Sequence, residues 1–485
     1  MIISVFAASC MKDYGNYNYV DGKEIMPVAI SGIADTVRAQ KGKTLAIVPA
    51  VENAVAGKNY QYCWYVIPVS DLGILNRQVL SESKNLDIQI ALPPDNYLLV
   101  FDVIDPETDT YARRQSLLIV AASVVAEGWY ILKDINNETD FDYINTQGEM
   151  IPDVLLNLAN PVGSRLKGTA VRIMYQSGDY SHQIKNEDGT VEILNYQKAL
   201  YALSSEDIKT LNAQTLDVFK NKEDIFYSPQ VYRPQNVYSE SSGAFLMNNG
   251  KVHSIYSIMP NIGMMGAAKS GSGALHPEWM PAWSNVVVFD TESRTFYYAD
   301  SFDGFLHSFR DETGPGYSLT GMDKTLVNML PANIDFASSG FALMKSVDSD
   351  EYFLGTIEIV YAPDEFVFPF TSFEAVPEGS KMPLAAVKTA STTGSFIYFA
   401  DDNRLSVYRV YPGGERESLL REFPGDETVA YIIDDDFDLK VLTNSSAGWK
   451  LYFLKSTGYG NPELEAIPEK VFEGEGTARF FMRRK

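Results

Sequence analysis

The stretch GAFLMNNGKVHSIYSI, residues 243–258, decides the fold. Two runs rich in apolar residues flank the dipeptide formed by Asn249 and Gly250. Asn followed by Gly favours a type I′ turn, whose twist matches that of two antiparallel strands. The stretch therefore predicts a β-hairpin with one strand on each side of this dipeptide.

Similar strand–turn–strand patterns recur along the chain. They begin near residues 129, 171 or 199, 285, 341, 395 and 429, so their spacing is about 40–55 residues. Repeats of this length are typical of β-propellers, because each small sheet buries its faces only against its neighbours. We predict an all-β chain with a β-propeller of about seven blades over residues 126–485. A pair of β-sandwiches is the alternative.

Residues 25–125 show a second β pattern. Short apolar strands alternate with turns rich in Pro, Gly and Asn every 8–12 residues, and no helical period appears, which is typical of a β-sandwich. The strand NYQYCWYVIP, residues 59–68, places Tyr62 and Trp64 on one face and Cys63 on the other. We expect Trp64 in the core and Cys63 to be an inert buried thiol.

Composition limits the partners and cofactors. The 485 residues carry a formal net charge of −23, which argues against a nucleic-acid backbone or an anionic membrane surface as the main partner. The two cysteines, Cys10 and Cys63, provide neither a disulfide framework nor a cysteine-based zinc site. No pair of the four histidines has metal-ligand spacing. We therefore predict no metal and no cofactor.

The first residues, MIISVFAASCMKDYGNYNYVDG, change abruptly from apolar to polar at Cys10. Ala7, Ala8 and Ser9 precede this cysteine, as the small residues of a bacterial lipobox do. We expect residues 1–10 to be the remnant of a lipoprotein signal with Cys10 lipidated, and residues 11–24 to be a tether. The alternative is a short buried strand that ends in an ordinary thiol.

A family resemblance extends this interpretation. The segment CMKDYGNYNY resembles the mature start of the PKD-like lipoproteins of Bacteroidota, and Tyr62-x-Trp64 is similar to a core strand of PKD repeats. The resemblance implies an N-terminal PKD- or Ig-like domain followed by a long C-terminal β region. It also implies a lipid anchor in the outer membrane. Lys12–Asp13 matches part of a surface-export signal, so we expect the cell surface, with a periplasm-facing position as the alternative.

A long segment rich in Gly and Met, MPNIGMMGAAKSGSGALHPEWMPAW (residues 259–283), lies between two predicted strands. Long loops in compact domains are often functional. The flat faces of Trp279 and Trp283 suit sugar rings or extended peptides, and His276 beside Glu278 forms either a binding pair or an acid–base pair. Packing across the propeller channel is the structural alternative.

The segment YADSFDGFLHSF, residues 298–309, is the second candidate. Its polar groups fall near one end of a predicted blade, where capping of a turn is the structural alternative. The full set of candidate ligand-binding residues is Trp279, Trp283, His276, Glu278, Asp300, Asp303 and His307.

We find no catalytic motif. In GMMGAAKSGSG, Gly266 and Lys269 lack the spacing of a phosphate-binding loop, and no Gly-x-Ser-x-Gly elbow occurs. The run DDDFD, residues 434–438, lacks the Gly and Glu of a calcium loop. We predict no catalytic residues.

Three classes of function remain open. The first is a non-catalytic binding module that captures a glycan or a peptide for outer-membrane transporter components, as the resemblance implies, with the membrane contacted only through the lipid. The second is a propeller-type glycan hydrolase or lyase, whose paired carboxylates a sequence cannot place. The third is a structural or assembly scaffold.

Overall fold

The computed structural model describes most of the chain from residue 28 onward. The described ranges are 28–69, 77–93, 95–121, 127–161, 163–185, 189–228, 230–240, 243–255, 262–271, 273–282, 285–309, 318–332, 339–358, 360–362, 365–367, 370–411, 415–435, 438–458 and 461–484. They divide into two compact units, Met1–Ile90 with Pro94–Ala121 and Ala91–Pro93 with Ala122–Lys485.

The first unit consists of nine strands in the part that is described. A five-stranded sheet has the order β2-β9-β8-β5-β6, and two short antiparallel pairs, β1–β4 and β3–β7, accompany it. The strands are β1 Ala29–Ser31, β2 Thr36–Gln40, β3 Thr44–Ile47, β4 Ala50–Glu52, β5 Gln61–Pro68, β6 Gln78–Ser81, β7 Leu86–Gln89, β8 Asn96–Asp105 and β9 Thr110–Ala121.

Trp64 is the centre of this unit. It is fully buried and stacks on Phe101 with ring centroids 4.3 Å apart, and its indole Nε1 donates to the carbonyl of Lys84 at 3.2 Å. Cys63 lies on the opposite face and is partly buried beside Tyr65. The alternation of β5 therefore sorts these side chains as the sequence predicts.

The second unit contains seven antiparallel sheets of three or more strands, the blades, and two two-stranded hairpins among the described residues. Most blade strands pair with the next strand in the chain, as in a meander. Blades 1 to 3 comprise β10 Gly128–Ile135, β11 Glu138–Asn145, β12 Met150–Ile151 and β13 Leu166–Lys167; β14 Ala170–Lys185, β15 Val191–Ser204, β16 Ile208–Asn212 and β17 Val218–Asn221; and β18 Pro234–Glu240, β19 Gly243–Asn248 and β20 Lys251–Ser254.

Blades 4 to 7 continue the same pattern, with one extra hairpin each in blades 5 and 7 (β28–β29 and β38–β39). Their strands are β21 Met280–Ala282, β22 Asn285–Asp290, β23 Thr295–Asp300 and β24 His307–Ser308; β25 Lys324–Pro331, β26 Ser339–Ser346, β27 Tyr352–Glu358, β28 Val360–Ala362, β29 Glu365–Val367 and β30 Phe370–Ala375; β31 Val387–Ala390, β32 Phe396–Asp401, β33 Arg404–Arg409 and β34 Glu417–Glu422; and β35 Thr428–Asp435, β36 Asp438–Ser445, β37 Gly448–Leu454, β38 Ser456–Gly458, β39 Asn461–Leu464 and β40 Lys470–Gly474.

Helices are few and short in the described ranges. They are α1 Val154–Asn157, α2 Lys222–Ile225 and a 3₁₀ helix at Met382–Leu384. None of the helices in this part of the chain has the length and apolar character needed to cross a bilayer.

The last strand, β41 Thr477–Arg484, closes the ring. It pairs with β10 along the sheet β12-β11-β10-β41 and so completes blade 1. The indole Nε1 of Trp449 in blade 7 also donates to Asp142 of blade 1 at 3.0 Å. Lys133 pairs with the same Asp142 at 2.7 Å, and both side chains are almost fully buried.

One end strand of each blade lies at the axis. We call β41, β14, β18, β21, β25, β31 and β35 the inner strands. Contacts link β35 to β41, β41 to β14, β14 to β18, and β21 through β25 and β31 to β35. The prediction of an all-β chain with a propeller of about seven blades is confirmed, and the closed ring replaces the alternative of two sandwiches.

Candidate ligand-binding site

The inner strands enclose two cavities along the propeller axis. The first, called the narrow cavity, has a volume of about 200 Å³, and the second, the wide cavity, about 470 Å³. Five inner strands, β14, β18, β25, β31 and β35, contribute residues to both cavities, while β21 lines only the narrow cavity and β41 only the wide one. In β25, for example, Asn328 and Met329 line the narrow cavity, and Pro331 borders both. Arg172 also lines both cavities, so it lies where they meet.

Glu278 provides the carboxylate of the narrow cavity. It lies two residues before β21. The Asn328 side-chain amide donates to its Oε1 at 3.0 Å, and the backbone N–H of Met329 donates to its Oε2 at 2.7 Å. These two bonds tie blade 4 to blade 5 and fix the orientation of the carboxylate. The Oδ1 atom of Asn328 is buried without a hydrogen-bond partner among the described residues.

Two cations line the narrow cavity, Arg172 from blade 2 and Lys388 from blade 6. The Arg172 guanidinium lies beside the Tyr431 hydroxyl, where its charge opposes the rise in the pKa of Tyr431 caused by burial. Its Nε is buried and has no hydrogen-bond partner in the described chain. The Lys388 ammonium donates to the carbonyl of Ala385. Burial lowers the pKa of Lys388, and the charge of Glu278 acts in the opposite direction.

Three arginines of the wide cavity lie against aromatic rings. The guanidinium carbon of Arg172 is 4.5 Å from the ring centre of Phe480. Arg484 lies 4.2 Å from the ring of Tyr175, and Arg483 lies 5.6 Å from that of Trp129. Such contacts are cation–π interactions. They hold each guanidinium in place beside a ring that would otherwise be available to a ligand.

The carboxylates of the wide cavity already have partners. Asp434 accepts bonds from the backbone N–H of Thr392 at 2.8 Å and from its hydroxyl at 3.2 Å. Asp435 pairs with Arg483 at 2.7 Å. Arg484 donates to the Tyr130 hydroxyl at 3.3 Å and to the carbonyl of Ala213 at 2.9 Å. These groups form a fixed polar wall around the aromatic rings.

The Gly- and Met-rich segment joins blade 3 to blade 4. Backbone N–H groups of Gly266 and Lys269 donate to carbonyls of β20. The Ser270 N–H donates to the carbonyl of Gly304, and the Leu306 N–H donates to that of Ser270, which ties the segment to the connection between β23 and β24. Trp279 is only 5% exposed and packs with apolar residues of blades 3 and 4, although it borders the narrow cavity. Most of this segment therefore has a packing role.

His276 lies beside this packing surface. Its Nδ1 accepts a bond from the backbone N–H of Glu278 at 3.2 Å. Burial lowers the pKa of His276, and the Glu278 charge opposes that change. His276 and Glu278 are therefore in contact. Of the candidate residues predicted from the sequence, Glu278 and Trp279 border the narrow cavity, and His276 does not.

Asp300, Asp303 and His307 form a separate cluster in blade 4. His307 Nε2 lies 3.0 Å from Asp303 Oδ2 and 3.5 Å from Asp300 Oδ2, and its ring stacks on Tyr298. Their potential ligand atoms lie within 4.8 Å of one another, so these residues could hold a metal ion. The buried Lys269 bonds to the Asp303 carbonyl, which brings a positive charge beside the cluster and disfavours a cation.

Both aspartates also cap turns, as the structural alternative expects. Asp300 accepts backbone bonds from Phe302 and Asp303, and Asp303 accepts one from Phe305. Two other predicted site residues, Cys10 and Trp283, lie outside the described residues.

Sequence reasoning missed most of the axial residues. Arg172, Asn328, Lys388 and Tyr431 come from four different blades. Each lies on an inner strand, so an alignment of the seven blade repeats would mark these positions. The spacing between repeats varies by about 15 residues, so equivalent positions in different blades cannot be aligned from this one sequence.

Comparison with known proteins gives a family match for the N-terminal part of the chain and structural similarities over a larger part. A family model described as the PKD-like family matches residues 10–170. The match covers well under half of the chain and extends from the first unit into blade 2. A search of the curated proteins found no match.

Among solved structures, this chain is similar to apo AztD from Citrobacter koseri, with 10% identity over 73% of this chain and 97% of that one and a TM-score of 0.37. It is also similar to the dihydro-heme d1 dehydrogenase NirN, with 8% identity over 86% and 79% and a TM-score of 0.37. The Nup133 β-propeller domain of Vanderwaltozyma polyspora matches with 8% identity over 56% and 95% and a TM-score of 0.26. At these scores, the assignment of a propeller depends on the blade topology.

Proposed function

We propose that this protein is a non-catalytic binding module whose ligand occupies the axial channel of the propeller. The observation that carries the proposal is the pair of cavities joined at Arg172, lined by residues from all seven blades. Ligand sites are typically concave and combine apolar walls with a few fixed polar groups. The aromatic rings, arginines and hydrogen-bonded carboxylates of this channel fit that description.

The fixed state of the carboxylates favours binding over catalysis. A general acid or base needs a proton-transfer position next to the substrate. Here Glu278 is held by Asn328 and Met329, and Asp435 is held by Arg483. These bonds suit positioning groups that orient a ligand. A glycan hydrolase or lyase remains the competing hypothesis.

We further propose a lipid anchor at Cys10 and a location at the outer-membrane surface. The small residues before Cys10 and the PKD-like match at residues 10–170 support this proposal. In that setting the propeller captures a glycan or a peptide and passes it to transporter components for nutrient uptake.

Blocking the channel tests the binding proposal. Thr389 lines both cavities, so Thr389→Trp fills the point where they join. We expect binding of glycan-array or peptide-library ligands to fall at least about tenfold, because the substitution excludes the ligand sterically. Leu419→Trp is the matched control, since Leu419 is 46% exposed on β34.

Two outcomes would contradict the proposal. Ligands that bind Thr389→Trp and the wild type equally would place the site elsewhere. Turnover of a glycan by the wild type, lost on Glu278→Gln, would replace the binding module by an enzyme.

A further inference from the structure

The charges along the axis differ from those of the whole chain. The protein has a formal net charge of −23. Yet four cationic and three carboxylate side chains of the described residues line the two cavities: Arg172, Lys388, Arg483, Arg484, Glu278, Asp434 and Asp435. The channel is therefore a locally positive site in an acidic protein, and such a site attracts anions.

The cations of the narrow cavity lack carboxylate partners in the described chain. No carboxylate oxygen lies within 4.0 Å of Arg172 or Lys388 there, whereas Arg483 pairs with Asp435. Glu278 is the one carboxylate among the described residues of this cavity, and Asn328 and Met329 hold it. Two cations thus share one carboxylate that forms an ion pair with neither of them, and a buried charge without a close partner is costly for the folded state. An anionic ligand between Arg172 and Lys388 supplies the missing negative charge.

The geometry of Arg172 suits an oxyanion. Its guanidinium lies against the Phe480 ring, with the carbon 4.5 Å from the ring centre, and beside the Tyr431 hydroxyl. Its Nε has no partner in the described residues and is buried at the junction of the cavities. A planar guanidinium with a free edge binds carboxylates through two parallel bonds.

A neutral polar group completes the pattern. Asn328 Oδ1 is a buried acceptor without a partner in the described chain, and Asn328 lines the same cavity. A hydroxyl group can donate to it. A ligand that carries both a carboxylate and hydroxyl groups would satisfy Arg172, Lys388 and Asn328 together.

We infer that the narrow cavity binds an acidic sugar residue of a glycan, with its carboxylate between Arg172 and Lys388 and a hydroxyl on Asn328 Oδ1. The inference rests on the proposed binding function and adds the chemical class of its ligand. The cavity volume of about 200 Å³ limits the site to a group of roughly one sugar ring.

The test compares ligands that differ only in charge. Galacturonate and glucuronate oligosaccharides are titrated calorimetrically against the full chain beside their methyl esters. We expect the acids to bind at least about tenfold more tightly than the esters, since hydrogen bonds to charged groups are the stronger ones. Arg172→Gln should weaken acid binding about tenfold or more and so reduce the preference for acids over esters, and Lys388→Gln should act in the same direction.

Arg404→Gln is the matched control, because Arg404 is exposed on β33. A thermal unfolding midpoint of ligand-free Arg172→Gln no lower than that of the wild type would agree with a ligand-binding role. A large drop would indicate a structural one and overturn the inference.

The ligand panel separates the failure of this inference from failure of the proposed function. Equal binding of acids and esters overturns the acidic-sugar inference alone. The acidic-sugar inference is also overturned if the channel binds only neutral glycans, or only peptides with a free terminal carboxylate. If no glycan or peptide binds and Thr389→Trp changes nothing, the proposed function fails and the inference fails with it.

Discussion

Glu427 shows how a single buried carboxylate stabilises a blade. It is 2% exposed and accepts bonds from the Lys450 ammonium at 2.8 Å, the Thr443 hydroxyl at 2.7 Å and the Tyr452 hydroxyl at 2.9 Å. Burial raises the pKa of Glu427, but the bonds from Lys450, Thr443 and Tyr452 outweigh it and hold the pKa below its usual value. The charged form is therefore favoured in the folded state.

Glu427→Gln should lower the free energy of unfolding at pH 7 by about 1.5–3 kcal/mol, because hydrogen bonds to a charged acceptor are lost. The unfolded state binds the Glu427 proton first as the pH falls. The stabilisation is thus fully present above the unfolded pKa of about 4.3 and is lost as the pH falls through the folded pKa. Urea unfolding at pH 7 and below pH 4 measures both effects.

The exposed Glu422 of β34 provides the control. Glu422→Gln should change the free energy of unfolding by less than about 0.5 kcal/mol. If the two variants changed the free energy of unfolding equally at pH 7, the role of Glu427 would be contradicted. The same holds if the difference in free energy of unfolding between Glu427→Gln and the wild type did not become smaller below pH 4.

At the scale of elements, the hairpin at Asn249 and Gly250 forms as its sequence predicts. Asn248 pairs with Lys251, and the two turn residues have φ angles of 52° and 70°. This turn is local, so the sequence predicts it well. The closing strand β41 is different, since its partner β10 lies more than 300 residues earlier in the chain.

Phe481 of β41 tests the closure. It is fully buried against Trp129 and Tyr431, at the junction of blades 1 and 7. Phe481→Ala should lower the free energy of unfolding by about 3–5 kcal/mol, because it opens a cavity where the ring closes. The urea midpoint, followed by tryptophan fluorescence, measures this loss.

Val471→Ala on β40 is the control for a strand that does not close the ring, since Val471 is 46% exposed. We expect a change within about 0.5 kcal/mol. If Phe481→Ala were as mild as this control, β41 would contribute little to closure.

For the whole molecule, the proposed lipid anchor at Cys10 is tested by its effect on location. Cys10→Ala in a gene with a complete signal should abolish palmitate labelling and move the protein from the membrane to the soluble fraction, because one lipidated cysteine is the proposed attachment. Fractionation and labelling in a bacterial host measure both. The other cysteine, Cys63, lies within β5, so Cys63→Ala should retain the label and the membrane location. Unchanged fractionation of Cys10→Ala would refute the anchor.

The sequence by itself determined the β-rich character, the sandwich strand that buries Trp64 and the hairpins of the propeller. These features depend on the alternation of side chains along a strand and on turns of a few residues, which act over short distances. It also marked Glu278, which lies at the axis, and Trp279, which borders it but serves mainly the core.

Only the tertiary structure decided which strand of each blade faces the axis. Arg172, Asn328, Lys388 and Tyr431 meet because the ring closes, although they are separated by tens to hundreds of residues in the chain. Alternation along a strand shows which side chains share a face, but not whether that strand is inner or outer. Stacking of the seven blades makes that choice, so the channel and its excess of cationic side chains emerge only from the closed ring.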